Sequence, residues 1–185
     1  MSELDAEWAR RVEEAEERAR EAGRSDVAGY LALRSSNDAA RAAGVARLVE
    51  VFQTAAGEAN RAGASLSVTV EDAHRFRVGP STMVGRRLTI SAGVRSLTVE
   101  AGWPRAPGDG FVRGGGLARA RVSHFGDAGA GEELLLVRAG DGDGADDAGD
   151  EAPRWLTHAD DSNARPAGAD FDEARARAHV AKLLG

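Results

Sequence analysis

The chain has 185 residues and a formal net charge of −6, and 42% of its residues are hydrophobic, which suits one globular domain of ordinary size. It has no cysteine, which excludes disulfide frameworks, thiolate metal sites and cysteine nucleophiles. No apolar run reaches the length of a membrane span and the first residues do not resemble a secretory leader. We therefore expect a cytoplasmic protein without a membrane partner.

Residues 1–24 are predicted to form a helical arm. Leu4, Trp8 and Val12 recur at helical spacing and continue into a run of alanines, with Glu and Arg on the other faces. This apolar stripe is thin, so the helix needs a neighbour to cover it. That neighbour is either the rest of this chain or another molecule.

Residues 25–185 are predicted to form a single α+β domain. A long helix is expected from about residue 37 to 61, with the N-cap chosen from Ser35–Asp38. A C-terminal helix is expected from about residue 171 to 184, with Asp170 as N-cap and Glu173 at the third helical position.

Between these helices the apolar period changes from 3.6 to 2, which indicates strands. The alternating or β-prone segments are residues 66–70, 84–90, 97–103, 116–126, 132–138 and, as a short edge strand, 153–158. We predict a two-layer sandwich, an antiparallel meander of five or six strands covered on one face by the long helix and the C-terminal helix. The other face would then present hydroxyls and arginines.

Charge is uneven along the chain. Residues 65–125 have nine basic and four acidic side chains, whereas residues 126–173 have three basic and fourteen acidic ones. Within the latter, residues 139–152 are predicted to be a mobile acidic loop. Its Asp141, Asp143 and Asp150 match part of a calcium-loop pattern, but Ala139 stands at the first ligand position, so no metal is expected.

Two features supply candidate binding residues. The polar sheet face would show arginines to a partner, and the connection over residues 103–116 combines Trp103 with charged residues and glycine amides that could hold an anion. The candidates are Arg87, Trp103, Arg105, Asp109, Arg113, Arg119, Arg121 and His124. A solvated sheet face and a long hairpin connection would explain the same residues without any ligand.

No spacing typical of a nucleophile, a phosphate loop or a metal centre occurs in the sequence. The favoured hypothesis is a non-enzymatic interaction domain that binds a protein partner or a second copy of itself, without a cofactor. One alternative is a small-ligand carrier or enzyme with a pocket between helix and sheet that reaches His74, Arg86 or His124. Another is anion or nucleic-acid binding through Arg87, Arg119 and Arg121, which the negative net charge disfavours.

Overall fold

The computed structural model describes residues 3–138, 152–158 and 168–185. The chain divides into two compact units, Met1–Ala42 and Ala43–Gly185. The predicted arm boundary at residue 24 stays a prediction. The predicted acidic loop falls, apart from residue 152, outside the described residues, so its mobility and cation binding also stay predictions.

The first unit contains helix α1 (Glu3–Glu21) and the first half of helix α2 (Ser25–Arg61). Gly23 separates the two helices with a left-handed φ of 71°, and its N–H bonds to the Arg20 carbonyl at 3.0 Å. The predicted start of the long helix near residue 37 is wrong. Helix α2 is continuous from Ser25, because residues 27–33 already have helical apolar spacing and Asp38 pairs with Arg41 inside the helix.

The second unit contains a six-stranded antiparallel sheet with strand order β1-β2-β3-β4-β5-β6. The strands are β1 (Ser67–Val78), β2 (Ser81–Ala92), β3 (Arg95–Trp103), β4 (Ala118–His124), β5 (Asp127–Val137) and β6 (Arg154–Thr157). Each strand pairs with the next along the chain, which confirms the predicted meander. The segment 153–158 does contribute a strand, since β6 pairs with β5.

Helix α3 (Glu173–Leu184) closes the fold, and its N-cap is Asp172, whose carboxylate accepts the Arg175 N–H at 2.9 Å. The prediction of Asp170 as N-cap is wrong. Asp170 instead bridges to Leu156, because the chain before α3 runs along the outer edge of β6.

Helix α3 and the part of α2 that belongs to the second unit cover one face of the sheet, here called the helix face. Its buried aliphatics lie on the central strands, and they are Leu88, Ile90, Leu97, Val99, Val122, Leu134 and Leu136. Phe52 of α2 is fully buried, and the Trp155 indole N–H donates to the Gly44 carbonyl at 2.9 Å. The predicted α+β architecture is therefore confirmed. The alternation over residues 66–70 also predicts that Val70 is buried beneath the helices, and this prediction is wrong, since this residue of the edge strand is 41% exposed.

The opposite side of the sheet, here called the open face, is divided into two parts. The connection over residues 104–117 lies on one part, where Val112 packs against a buried cluster of Leu135, Val137 and Leu156. Ser81 Oγ also donates to the Phe111 carbonyl at 3.0 Å. The remaining part of this face is polar, as predicted, and it begins next to the cluster.

Candidate functional site

The polar part of the open face contains one charged side chain from each of five adjacent strands. In order across the sheet these are Glu71, Arg87, Glu100, Arg121 and Glu133, and they are called the charge row below. Each member is the direct cross-strand partner of the next. Directly opposed residues have Cβ atoms about 5 Å apart, so the signs alternate at contact distance.

Strand parity places these five residues on one face. Each lies next in sequence to a residue that points to the helix face, such as Leu88 beside Arg87 and Leu134 beside Glu133. A bulge in β1 adds a sixth titratable group. Ala73 has a left-handed φ of 57°, and the register shift there brings His74 opposite Gly85. His74 thus joins Glu71 on the open face instead of continuing the helix-face parity.

The two ring nitrogens of His74 contact two carboxylates of the charge row. Its Nε2 lies 2.7 Å from Glu100 Oε1 and its Nδ1 lies 3.6 Å from Glu71 Oε1. At the other end of the row, Arg121 Nε donates to Glu133 Oε1 at 2.6 Å. The His74 and Glu100 side chains are mostly buried, with 14% and 18% exposed, so this contact is shielded from solvent.

Arg87 lies within the charge row but takes part in none of these contacts. Its cross-strand neighbours are Glu71 and Glu100, and both carboxylates are oriented towards His74. The Nε atom of Arg87 is buried and has no hydrogen-bond partner among the described residues. Because Nε itself is buried, an incoming carboxylate or other planar anion would bond to the terminal guanidinium nitrogens of this half-buried residue.

Arg119 shares the open face but lies in its covered part. It is only 3% exposed and is the cross-strand partner of Leu135, over which Gly116 of the connection passes. Of the three strand arginines predicted to bind, the structure brings Arg87 and Arg121 together in the charge row. Arg119 is enclosed beside the row.

The predicted residues of the connection are engaged in local contacts. The Asp109 carboxylate accepts the N–H groups of Arg105 and Ala106 at 3.3 and 3.0 Å, and it pairs with Arg75 at 3.2 Å. The Arg105 guanidinium stacks 3.9 Å from the ring centroid of Trp103. These contacts fix the start of the connection, and the side chain of Arg113 lies outside the described part of the structure. A binding role for the four predicted candidates, Trp103, Arg105, Asp109 and Arg113, stays a prediction.

His124 lies on the other side of the sheet. Its Nε2 is 3.0 Å from Nδ1 of His179 on α3, and the two rings stack in a buried site with Phe52 and Phe171. Burial lowers the pKa of both histidines, and Lys182 lowers that of His124 further. His124 is therefore a core residue, separated from the charge row by the sheet itself.

A groove of about 260 Å³ runs between α2 and α3. It is bordered by two exposed ion pairs, Arg47 with Glu173 at 3.0 Å and Arg177 with Glu58 at 2.7 Å. None of His74, Arg86 and His124 lines it. Within the described ranges, no group of three or more His, Asp or Glu side chains is arranged to hold a metal ion.

Comparison of this chain with protein-family models, with curated proteins and with solved structures returned no match. Within the described residues, no helix has both the length and the hydropathy needed to cross a bilayer.

Proposed function

We propose that this chain is a protein-binding domain that docks a partner on the charge row of its open face. The observation that supports the proposal is the state of Arg87, whose Nε is buried without a partner between two carboxylates that contact His74. Partial burial of a guanidinium without an ion pair costs free energy, so a partner carboxylate that bonds to the terminal nitrogens of Arg87 would be stabilising.

The alternation of charges favours a protein over a nucleic acid. The row has three carboxylates and two guanidiniums, and the carboxylates would repel a continuous phosphate backbone. Sheets that bind single strands also need exposed aromatic rings for stacking. Phe76, whose ring stacks on His74 with ring centroids 6.1 Å apart, is buried and does not supply such a ring.

The geometry defines the chemistry of the partner surface. At a strand spacing of about 4.8 Å, the five members of the row span about 19 Å. The complementary surface has a carboxylate over Arg87 and basic side chains over Glu71 and Glu133. Because the attraction is electrostatic, we expect binding to weaken as the salt concentration rises.

The proposal is tested with Arg87→Glu and with Arg77→Glu as the matched control. Arg77 is an exposed residue of the same sheet, so both variants change the net charge equally. Immobilised wild-type protein and both variants are used to capture proteins from the source cells, and captured proteins are identified by mass spectrometry and then purified. Direct titration with each purified protein then gives its dissociation constant for the three forms.

The supporting result is a protein that binds the wild type and Arg77→Glu with similar affinity but binds Arg87→Glu on the order of a hundredfold more weakly. A carboxylate-to-arginine change in that partner should restore binding to Arg87→Glu. Equal binding to all three forms would contradict the role of the row, provided that circular dichroism shows the variants to be folded.

A further inference from the structure

We propose that two copies of this chain pair edge to edge at the open segment of β1 centred on Thr69, which joins their sheets into one antiparallel sheet of twelve strands. The pairing uses backbone groups at the edge of the sheet, and of the charge row only Glu71 lies at the end of the paired segment. The pairing is therefore independent of the proposed function.

The two edges of the sheet differ in how they are closed. The outer side of β6 is covered by its own chain, since Thr157 N–H donates to the Ala169 carbonyl at 2.9 Å and Phe171 N–H to the Trp155 carbonyl at 2.8 Å. At β1 only the residue before the strand is closed, because the Asn60 side chain bonds both Leu66 N–H and Leu66 C=O. Among the described residues, no backbone group bonds to the outer side of residues 67–70.

This open part of the edge has the composition of an interior strand. Ser67, Val68, Thr69 and Val70 are uncharged, and β-branched residues occupy three of the four positions. Val68 and Val70 point to the helix face, yet Val68 is only half-buried and Val70 is 41% exposed. A neighbouring strand would cover both valines and satisfy the free backbone groups.

The rest of β1 is protected against pairing. The bulge at Ala73 interrupts the ladder, and charged or titratable side chains follow on both faces. The side chains concerned are Glu71, Asp72, His74, Arg75 and Arg77. The accessible edge is thus a short uncharged segment between the Asn60 clasp and the bulge, which fits a short ladder with a strand of the same kind.

A second copy of the same segment matches this edge. With a two-fold axis at Thr69, Val68 lies opposite Val70 of the partner subunit on the helix face, and Thr69 lies opposite Thr69 of the partner subunit on the open face. Glu71 then lies opposite Ser67 of the partner subunit, so no like charges meet in the ladder. A shift of one residue would put valines opposite threonines on the wrong face.

The first test is a cysteine cross-link, because the natural chain has no cysteine. Thr69→Cys places a thiol on the proposed axis, where directly opposed residues are close enough for a disulfide. Thr54→Cys, at an exposed site of α2, is the matched control. Under mild oxidation we expect covalent dimers of Thr69→Cys to form severalfold faster than those of Thr54→Cys, and equal rates would overturn the proposal.

The second test measures self-association by sedimentation over a range of protein concentrations. Val70→Lys puts a charge into the paired edge, whereas Val94→Lys makes the same change at a 92% exposed turn residue. We expect Val70→Lys to raise the dimer dissociation constant on the order of tenfold or more and Val94→Lys to leave it unchanged. A wild type that stays monomeric throughout would overturn the proposal. If Val70→Lys does not fold, the cross-linking rates decide.

Discussion

The buried pair of His124 and His179 should make the stability of this protein depend on pH between about 5 and 6.5. Their facing nitrogens are 3.0 Å apart, and the two residues are only 9% and 7% exposed. One proton can lie between the rings, but two charged imidazoles would repel each other in a site of low polarity. The folded chain therefore resists protonation of this pair.

The direction of the effect follows from the pKa shifts. Burial lowers the folded-state pKa of both histidines below the value of about 6.5 that an unfolded chain has. Glu132, whose Oε1 is 3.7 Å from His179 Nε2, opposes the shift of His179, whereas Arg175 and Lys182 add to it. The stabilising contribution is complete above the unfolded pKa and is lost as the pH falls towards the lowered folded pKa.

The magnitude follows from proton linkage. A histidine that binds a proton only in the unfolded state lowers the free energy of unfolding by about 1.4 kcal/mol per pH unit below its unfolded pKa. The two histidines together therefore give a slope of up to about 2.7 kcal/mol per pH unit. Below about pH 5 protonation of carboxylates adds to the loss, so the informative window lies above that value.

The assay is urea unfolding, followed by circular dichroism, at several pH values from 7.5 to about 5. We compare the wild type with His124→Gln and His179→Gln, which remove one titratable group each, and with His158→Gln, which leaves the pair intact. Each variant of the pair should be less stable at pH 7.5 but should lose less stability on acidification. A wild-type stability that stays constant or rises between pH 6.5 and 5 would refute the reasoning, as would an unchanged slope in both variants of the pair.

Two further changes test local features of the fold by the same unfolding measurement. Gly102→Ala should lower the free energy of unfolding by about 1–3 kcal/mol, because a Cβ there would lie 2.7 Å from the Val84 carbonyl carbon and oxygen. Its control, Gly108→Ala, should have little effect, because nothing lies within 4 Å of the added carbon. Asp172→Ala should cost about 1 kcal/mol through loss of the α3 N-cap, and the exposed Asp170→Ala should cost less than half as much. Equal effects within either pair would contradict the contact assigned to its first member.

The strands were predictable from sequence because alternation of apolar and polar residues depends only on local geometry. Leu88 and Ile90 are buried at the expected parity, and so are Leu97 and Val99. The edge strand departs from this rule. Val70 has the same alternation, but burial also needs a neighbouring layer, which the pattern of a single strand cannot report.

The candidate site was only partly predictable. Parity places Arg87 and Arg121 on the same face, but their alignment with carboxylates depends on the register of four strand pairs. His74 is the clearest example. By parity it belongs with Val70 on the helix face, and only the bulge at Ala73 moves it to the charge row. The left-handed backbone of this bulge is not apparent from the sequence, because the residue there is an alanine and not a glycine.

The pairing of His124 with His179 shows a different limit. The parity of Val122 continues to His124, so its position on the helix face could have been inferred. Its partner lies 55 residues further along the chain, on a helix whose docking depends on the whole core. Residue spacing carries no signal for such a contact, which explains why His124 was assigned to binding when its side chain is in the core.

The support of the charge row by a continuous sheet lowers the entropic cost of any complex that the row forms. Its five members project from consecutive strands joined by a continuous ladder of backbone hydrogen bonds, so their order and spacing are set before a partner arrives. Little chain entropy would be lost on association, and the surface would behave as a rigid template. Selectivity would then come from how well an approaching protein matches a fixed sequence of charges, and mismatched proteins would be rejected by repulsion.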